Sequence, residues 1–473
     1  MLLLSLWLAC ARPTGTEALP AMAEPPPGPR NVILLIGDGM GPQQVGLLEA
    51  LHQVHDRGPT AMGRLSEAGV MGLSLHHPAD GLVTDSACSA TQLATGAPSR
   101  NGMIGVDADG RVADNLREEA VRTGRATGVV SDTRLTHATP AAFLAHVPYR
   151  EQEDAIAAQI VASDVDVALS GGARHFVAGE GGREDGRDLL AEAEAAGFDV
   201  ARTADELTAS GPRVLGLFDP SGLPDALQAD DVPDVPTLAA MTQAAVDRLD
   251  DDPEGFFLVV EGGQIDWAAH ANDAGWMLAE LKRFDAAVDV AHRFAAARSD
   301  TLVLVTADHE TGGFGIASSD AMPAEPVNLP GLDAPWNPHG SPVDAAVLTR
   351  LEQQPISVFD LFGELGALDE AEQTPEALAA LVDEHWGLVL TPEAAARVLA
   401  DGPMPAREGF FGTGGYARVG ALAEALADQT GMVWSTAGHT HTPVPVMAFG
   451  PGAEAFGGWM HHTDIGRRLR DLL

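Results

Sequence analysis

The sequence predicts an α/β fold: a central, mainly parallel sheet with helices on both faces, plus an inserted helical subdomain. Three features predict it. Short, mostly apolar runs recur along the chain, stretches with helical apolar spacing separate them, and polar residues capable of chemistry follow the runs. A run that is apolar at every position suits a strand covered on both faces, as a parallel sheet requires.

Val32–Ile36, between Pro29 and Gly37, is the first such run. Gly128–Val130, Val165–Leu169, Phe256–Val260, Thr301–Val305 and Val444–Phe449 repeat its character. Helical spacing covers Glu151–Ala162, Arg187–Ala196, Thr237–Leu249 and Ala274–Ala297. From about Ser318 to Thr436 the chain turns rich in Pro and Gly and then helical. Thr374-Pro-Glu and Thr391-Pro-Glu each supply an N-cap, a first-turn proline and a first-turn acid. That stretch reads as an insert within a catalytic domain of residues 30–473. Its aromatics (Trp336, Trp386, Phe410, Phe411 and Tyr416) read as a small core of its own.

Residues 1–29 read as a leader and a Pro-rich tether. Leu8-Ala-Cys10 closes a short apolar stretch and resembles a bacterial lipoprotein signal, so the protein is expected to be exported, with Cys10 as a site for a lipid anchor. It would then be periplasmic, membrane-anchored or extracellular. Two cysteines, Cys10 and Cys88, exclude a disulfide framework and a cysteine-based zinc finger.

Charge is lopsided. There are 28 basic and 68 acidic side chains, a net −40, and Lys282 is the one lysine. Such a surface repels nucleic acid and anionic lipid, which excludes non-specific binding to either. It also repels phosphate, so any chemistry on a phosphate needs concentrated local positive charge, for which bound metal is the obvious source.

Four segments beside the predicted strands carry metal-ligand residue types. Gly37-Asp38-Gly-Met-Gly41 places a carboxylate between glycines that allow close approach. Glu261-Gly-Gly-Gln-Ile-Asp266-Trp-Ala-Ala-His270 puts Asp266 and His270 four apart, on one side of a helical turn. Asp308-His309-Glu310 ends a strand, and Gly438-His439-Thr-His441 precedes the last one. Nitrogen and oxygen donors without cysteine favour zinc or a similar ion; an all-oxygen position favours magnesium. One buried Asp or His alone reads as an ordinary hydrogen-bonded core residue; four motifs beside successive strands do not.

In Thr84-Asp-Ser86-Ala-Cys-Ser-Ala-Thr91, Ser86 precedes small residues and can open a helix, where free amides gather an anion. Taken alone it reads better as a helix cap. Gly-x-Ser-x-Gly is absent around it, which argues against acyl transfer. Arg150 can fork onto phosphate oxygens or simply start a helix. Cys88 reads as a buried apolar residue, and His76, His77, His461 and His462 as surface or packing residues.

Together these segments, with Thr136-His-Ala-Thr-Pro-Ala-Ala142, resemble the alkaline phosphatase family in its order of motifs. The resemblance implies a phosphomonoesterase with two zinc ions and one magnesium. It implies Ser86 as the nucleophile that becomes phosphorylated and Arg150 as the phosphate-binding arginine. Asp266, His270 and His439 match one zinc site and Asp38, Asp308 and His309 the other; Asp38, Thr139 and Glu261 match the magnesium site. His439 is preferred to His441 because its distance to Gly450-Pro451 fits the family without a gap. His137 and Trp267 occupy places that vary in the family. His137 opens the third site to zinc or cobalt, and Trp267 brings no charge beside the phosphate. Small phosphate monoesters and inorganic phosphate are the implied ligands. The insert is expected to cover the site or to build a homodimer interface. The competing readings are a phosphodiesterase or sulfatase on the same metal core, and a non-catalytic exported protein that binds phosphate or metal.

Overall fold

The computed structural model describes residues 28–179, 181–229, 232–318, 326, 328–336, 343–400 and 415–473. The leader, Cys10, Phe410 and Phe411 lie outside the described residues. The fold class is the one the sequence predicts. Ten strands form one sheet: β1 (Asn31–Gly37), β2 (Val70–Leu75), β3 (Ala126–Arg134), β4 (Val167–Gly171), β5 (Asp199–Ala201), β6 (Val214–Leu217), β7 (Phe256–Gly262), β8 (Thr301–Ala307), β9 (Val444–Phe449) and β10 (Gly458–His461). Their order is β10-β2-β9-β8-β1-β7-β3-β4-β6-β5. Neighbours run parallel except at β9, which is antiparallel to both β2 and β8.

Alternate residues of the central strand face opposite layers. Val32, Leu34 and Ile36 pack with Ala87, Ala90 and Leu93 of one cluster. Ile33 and Leu35 pack with Trp276, Leu281 and Phe284 of another. β1 is fully buried from end to end, which is why no polar alternation marks it.

The helices used below are α1 (Pro42–Val54), α2 (Ser86–Thr95), α3 (Ala138–Ala142), α4 (Glu153–Ala162), α5 (Leu189–Ala195), α6 (Leu238–Leu249), α7 (Gln264–His270) and α8 (Ala274–Ala296). The late helices are α9 (Ala345–Glu352), α10 (Val358–Gly366), α11 (Pro375–Trp386), α12 (Pro392–Val398), α13 (Gly415–Thr430) and α14 (His462–Leu472). Thr374 and Thr391 do cap α11 and α12, accepting from Ala377 N and Ala394 N. The apolar faces of α9 to α13 join the layer under Ile33 and Leu35 and form no separate core. Trp386 packs at the edge of that layer. Trp336 and Tyr416 are exposed, contrary to their reading as core residues. Among the described residues no helix is long and apolar enough to cross a membrane.

Four strands of this sheet carry no run that the sequence marks. β2 carries Gly72 and is half-buried, β5 has three residues, β6 four, and β10 is an edge strand with Trp459 exposed. None makes a long apolar run; β2 and β10 pair across hundreds of residues, while β5 is a three-residue edge strand paired with β6.

The connection from β3 into α3 is tied down by Glu153. Its carboxylate accepts from Arg134 Nε (2.8 Å) and Thr136 Oγ1 (2.6 Å) and lies 3.1 Å from His175 Nε2. Burial by itself would raise the Glu153 carboxyl, but bonds from His175 and Arg134 outweigh it and hold the group far below the ordinary range. A depressed carboxyl stabilises the fold above its unfolded pKa of about 4.3 and loses that contribution as pH falls. Glu153→Gln is therefore expected to cost about 1–3 kcal/mol near neutrality. The gap from wild type, followed by denaturant melts at several pH values, should close below about pH 4.

Candidate active site

Register delivers the site. Gly37 of β1 pairs with Gly262 of β7 and with Ala307 of β8, so the residues that follow leave the sheet at one level. Those residues include Asp38 and Asp308, and Glu261 sits beside them on β7. Brought to the carboxyl ends of adjacent parallel strands, they occupy the place where such sheets concentrate chemistry. Gly39 makes the approach feasible. Its φ is +75°, and a Cβ there would stand 2.8 Å from the Asp266 Cα.

Three groups of donor atoms result, each with all members within 4.8 Å of one another: Asp266, His309 and His439; Asp38, Asp308 and His309; and Asp38, His137 and Glu261. His270 joins the first. Its Nε2 is 3.1 Å from His439 Nε2 and 3.3 Å from Asp266 Oδ2. His439, rather than His441, faces this cage; His441 lies against His76 and His77. Thr139 stands in the buried first turn of α3, two residues from His137.

The cage is acidic and deeply buried. Asp38, Glu261 and Asp308 are fully buried, and Asp266 is 4% exposed. Burial, reinforced by Asp308, Asp266 and Glu261, raises the Asp38 carboxyl well above its usual range. Burial likewise pushes Asp308 and Glu261 up to about 7 each. Burial opposes ionisation of Asp266 too, but the imidazoles of His270, His439 and His309 hold it well below the usual value. Burial keeps His309 and His439 low and hence neutral, as metal ligation requires.

The donor set fits metal ions on a direct observation. Among the described residues, both Asp38 oxygens, Glu261 Oε1, Thr139 Oγ1 and His137 Nδ1 are buried with no hydrogen-bond partner. Unpartnered buried atoms such as Asn31 Oδ1 and Gln92 Oε1 occur singly elsewhere, but these five gather in one cage, and that convergence points at something the protein does not itself provide.

Ser86 begins α2, but Asp85 is the cap: its Oδ1 accepts from Cys88 N at 2.9 Å. Ser86 Oγ is free of capping duty and lies 3.2 Å from His309 Nε2. The other Asp85 oxygen takes Arg150 Nη1 at 3.1 Å, and Arg150 Nη2 is 3.3 Å from His137 Nε2. The guanidinium is thereby held beside Ser86 by its neighbour in sequence. Trp267 stands edge-on to His137 at 6.0 Å and packs over Gly222, where a Cβ would come within 2.6 Å of the indole. The Cys88 thiol is pushed up to about 12 by burial and is inert.

A sequence model of the alkaline phosphatase family matches residues 29–332. Alkaline phosphatase 4 of Bacillus subtilis is 34% identical over 449 residues, covering 92% of this chain and 87% of that protein. The chain belongs to the alkaline phosphatase family. Among solved structures, the alkaline phosphatase of Thermus thermophilus superposes with a TM-score of 0.80 at 28% identity, covering 98% of this chain and 96% of that one. A cold-active alkaline phosphatase from a Shewanella species gives 0.74 at 31% identity, covering 94% and 99%.

Several residues that shape this alkaline phosphatase site were missed in the sequence. Ser131 Oγ donates to Glu261 Oε2, as does Thr133 Oγ1 at 3.1 Å. Asp132 takes Gly263 N at 2.7 Å, and Thr311 Oγ1 donates to Asp266 Oδ1 at 2.5 Å. Glu310 takes Gln44 Nε2 of α1 at 2.8 Å and the Thr440 hydroxyl, tying the His309 turn to the His439 ribbon. The Ala437 carbonyl lies 2.6 Å from His270 Nδ1, which leaves Nε2 facing the cage. Single hydroxyls, amides and carbonyls carry no sequence pattern of their own; Glu310 and Thr311 fall inside the strand-end motif that begins at Asp308, but nothing in the sequence names their partners.

The raised carboxyls set a sign for metal uptake. Below pH 7 Asp308 and Glu261 hold protons that a cation must displace. Zinc affinity is expected to climb as pH rises through 7 and to level off above it. Calorimetry in buffers of different ionisation enthalpy should show proton release at pH 6 that fades by pH 9. In the metal-free chain the same groups favour the fold when protonated. Its melting temperature should therefore fall as pH rises from about 4 through 7, and added zinc should remove the decline.

Proposed function

We propose that this chain hydrolyses phosphate monoesters by way of a phosphoserine at Ser86, within a centre of two zinc ions and one magnesium ion. The observation that carries the reading is the Ser86 hydroxyl, uncommitted to capping, 3.2 Å from His309 at the rim of a cage of unpartnered buried donors. Asp266, His270 and His439 would hold one zinc and Asp38, Asp308 and His309 the other. Asp38, Thr139 and Glu261 would hold the magnesium, and His137, whose Nδ1 is unpartnered, fits that third position to zinc or cobalt as well. Bound there, the ions lower the proton affinity of a hydroxyl and offset the charge of a departing oxygen.

The chain's own groups do the rest. Arg150, oriented by Asp85, receives two phosphate oxygens, and the free amides at the start of α2 face the same space. Ser86 Oγ forms a bond to phosphorus as the bond from phosphorus to the ester oxygen breaks, and the alcohol leaves with a proton. Water then attacks phosphorus, the Ser86 Oγ–P bond breaks, and phosphate departs. Two in-line displacements predict retention at phosphorus. Export through the leader, with Cys10 lipidated, is proposed from the residue pattern alone.

Ser86→Ala is expected to lower turnover of a chromogenic monoester by at least about a thousandfold. Acid-quenched enzyme given phosphorus-labelled substrate should retain label in the wild type and lose it in the variant; a labelled or fully active variant defeats the covalent route. Chelation should abolish turnover, and zinc and magnesium added back separately should show which ion restores it. A diester hydrolysed faster than a monoester would favour the phosphodiesterase reading.

A further inference from the structure

Five histidines stand together outside the donor cage: His76 and His77 just after β2, His441 just beyond His439, and His461 and His462 at the start of α14. Their rings lie close to one another. His76 is 5.7 Å from His441 and 5.6 Å from His462, and His77 is 4.6 Å from His461. Among the described residues, each converging group of donors able to hold an ion lies in the cage, and none includes these imidazoles. The cluster therefore does not read as a metal site of its own. The sequence marks His76 and His462 only as surface or packing residues. Both are 0% exposed, and both make bonds that packing alone does not need.

Those bonds hold the cage from behind. His462 Nε2 lies 2.8 Å from the Asp308 carbonyl oxygen, which can only accept, so this nitrogen carries the proton. Nδ1 is then an acceptor and takes the Ser74 hydroxyl of β2 at 2.7 Å. The pairing of β8 with β1 ends at Ala307, one residue before Asp308. His462 takes hold of the chain where the sheet lets go. His309 N donates to Asp308 Oδ1 at 2.8 Å, so a shift of this turn moves two donors of the cage together.

His76 grips the other ligand arm. Its Nε2 donates to the Thr442 carbonyl at 2.9 Å, three residues beyond His439. Burial pushes the imidazole down to about 4, so it stays neutral and keeps its one N–H for that bond. Thr440 Oγ1 lies 2.9 Å from Thr442 Oγ1 and also bonds Glu310, so the anchor reaches the whole 439–442 ribbon.

Resting on the metal-centre part of the phosphomonoesterase reading, we propose that His462 and His76 are positioning residues for the two zinc positions. His462 sets the affinity of the ion held by Asp38, Asp308 and His309. His76 sets that of the ion held by Asp266, His270 and His439. The groups that orient a metal's ligands typically govern its affinity by about 10–100-fold.

The test titrates zinc, and separately cobalt, into the metal-stripped full chain by calorimetry against a competing chelator, and records the cobalt absorption bands. In His462→Phe one zinc equivalent should weaken about 10–100-fold, with its cobalt bands displaced, while the others stay within about threefold. His76→Phe should weaken a different equivalent, so the double variant loses affinity at two. A glutamine amide reaches about as far as Nε2, so His462→Gln and His76→Gln should recover most of the affinity and the wild-type cobalt bands. Ser74→Ala removes only the hydroxyl on His462 Nδ1 and should weaken the His462 equivalent severalfold; it decides the matter where a Phe variant does not fold. Affinities within about twofold of wild type in His462→Phe, or in Ser74→Ala in its place, overturn the assignment. So does a loss spread over all equivalents that glutamine does not rescue, since that is the mark of a packing role. A wild-type chain that takes up no zinc sinks the metal-centre reading itself, and this assignment with it; tight wild-type binding with unmoved variants sinks the assignment alone.

Discussion

Four carboxylates confined together in a deeply buried pocket dominate this protein. Asp38, Glu261, Asp266 and Asp308 are at most 4% exposed and lie within reach of shared imidazoles. Two like charges about 4 Å apart repel by roughly 4 kcal/mol even at an effective dielectric of 20. The fold tolerates that only through protonation or through cations. The unpartnered oxygens of Asp38 and Glu261 point to cations. A molecule with a net charge of −40 can then present local positive charge to a phosphate.

The sheet makes this arrangement rigid. The four central strands, in the order β8-β1-β7-β3, end side by side, and three of them deliver Asp308, Asp38 and Glu261. A layer of supporting bonds fixes each ligand's direction: Ser131 on Glu261, Thr311 on Asp266, the Ala437 carbonyl on His270. Such bonds matter because a ligand swung by one rotamer no longer shares an ion with its neighbours. Asp85 shows the same economy. One oxygen caps the helix that presents Ser86 and the other holds Arg150.

The late helical region is continuous with this design. Its apolar residues finish the core layer on one face of the sheet, and α13 brings Tyr416 to His270. Tyr416 was read as a core aromatic because composition alone cannot separate a packed ring from an exposed one.

What the sequence determined by itself follows from local physics. Apolar runs marked the six longest-patterned strands. Helical spacing and N-caps marked α4, α5, α6, α8, α11 and α12 to within two residues, because backbone hydrogen bonds and side-chain period are short-range. The candidate donor residues were legible because each lies in a compact motif beside a strand or glycine turn. Only the tertiary structure decided which donors share a group, that His439 rather than His441 faces the cage, that Asp85 and not Ser86 caps α2, and that Ser131, Asp132, Gln44 and Thr311 support the site. Those facts depend on strand order and register, which bring together residues hundreds of positions apart. No local pattern encodes a contact whose partner is set by pairing elsewhere in the sheet.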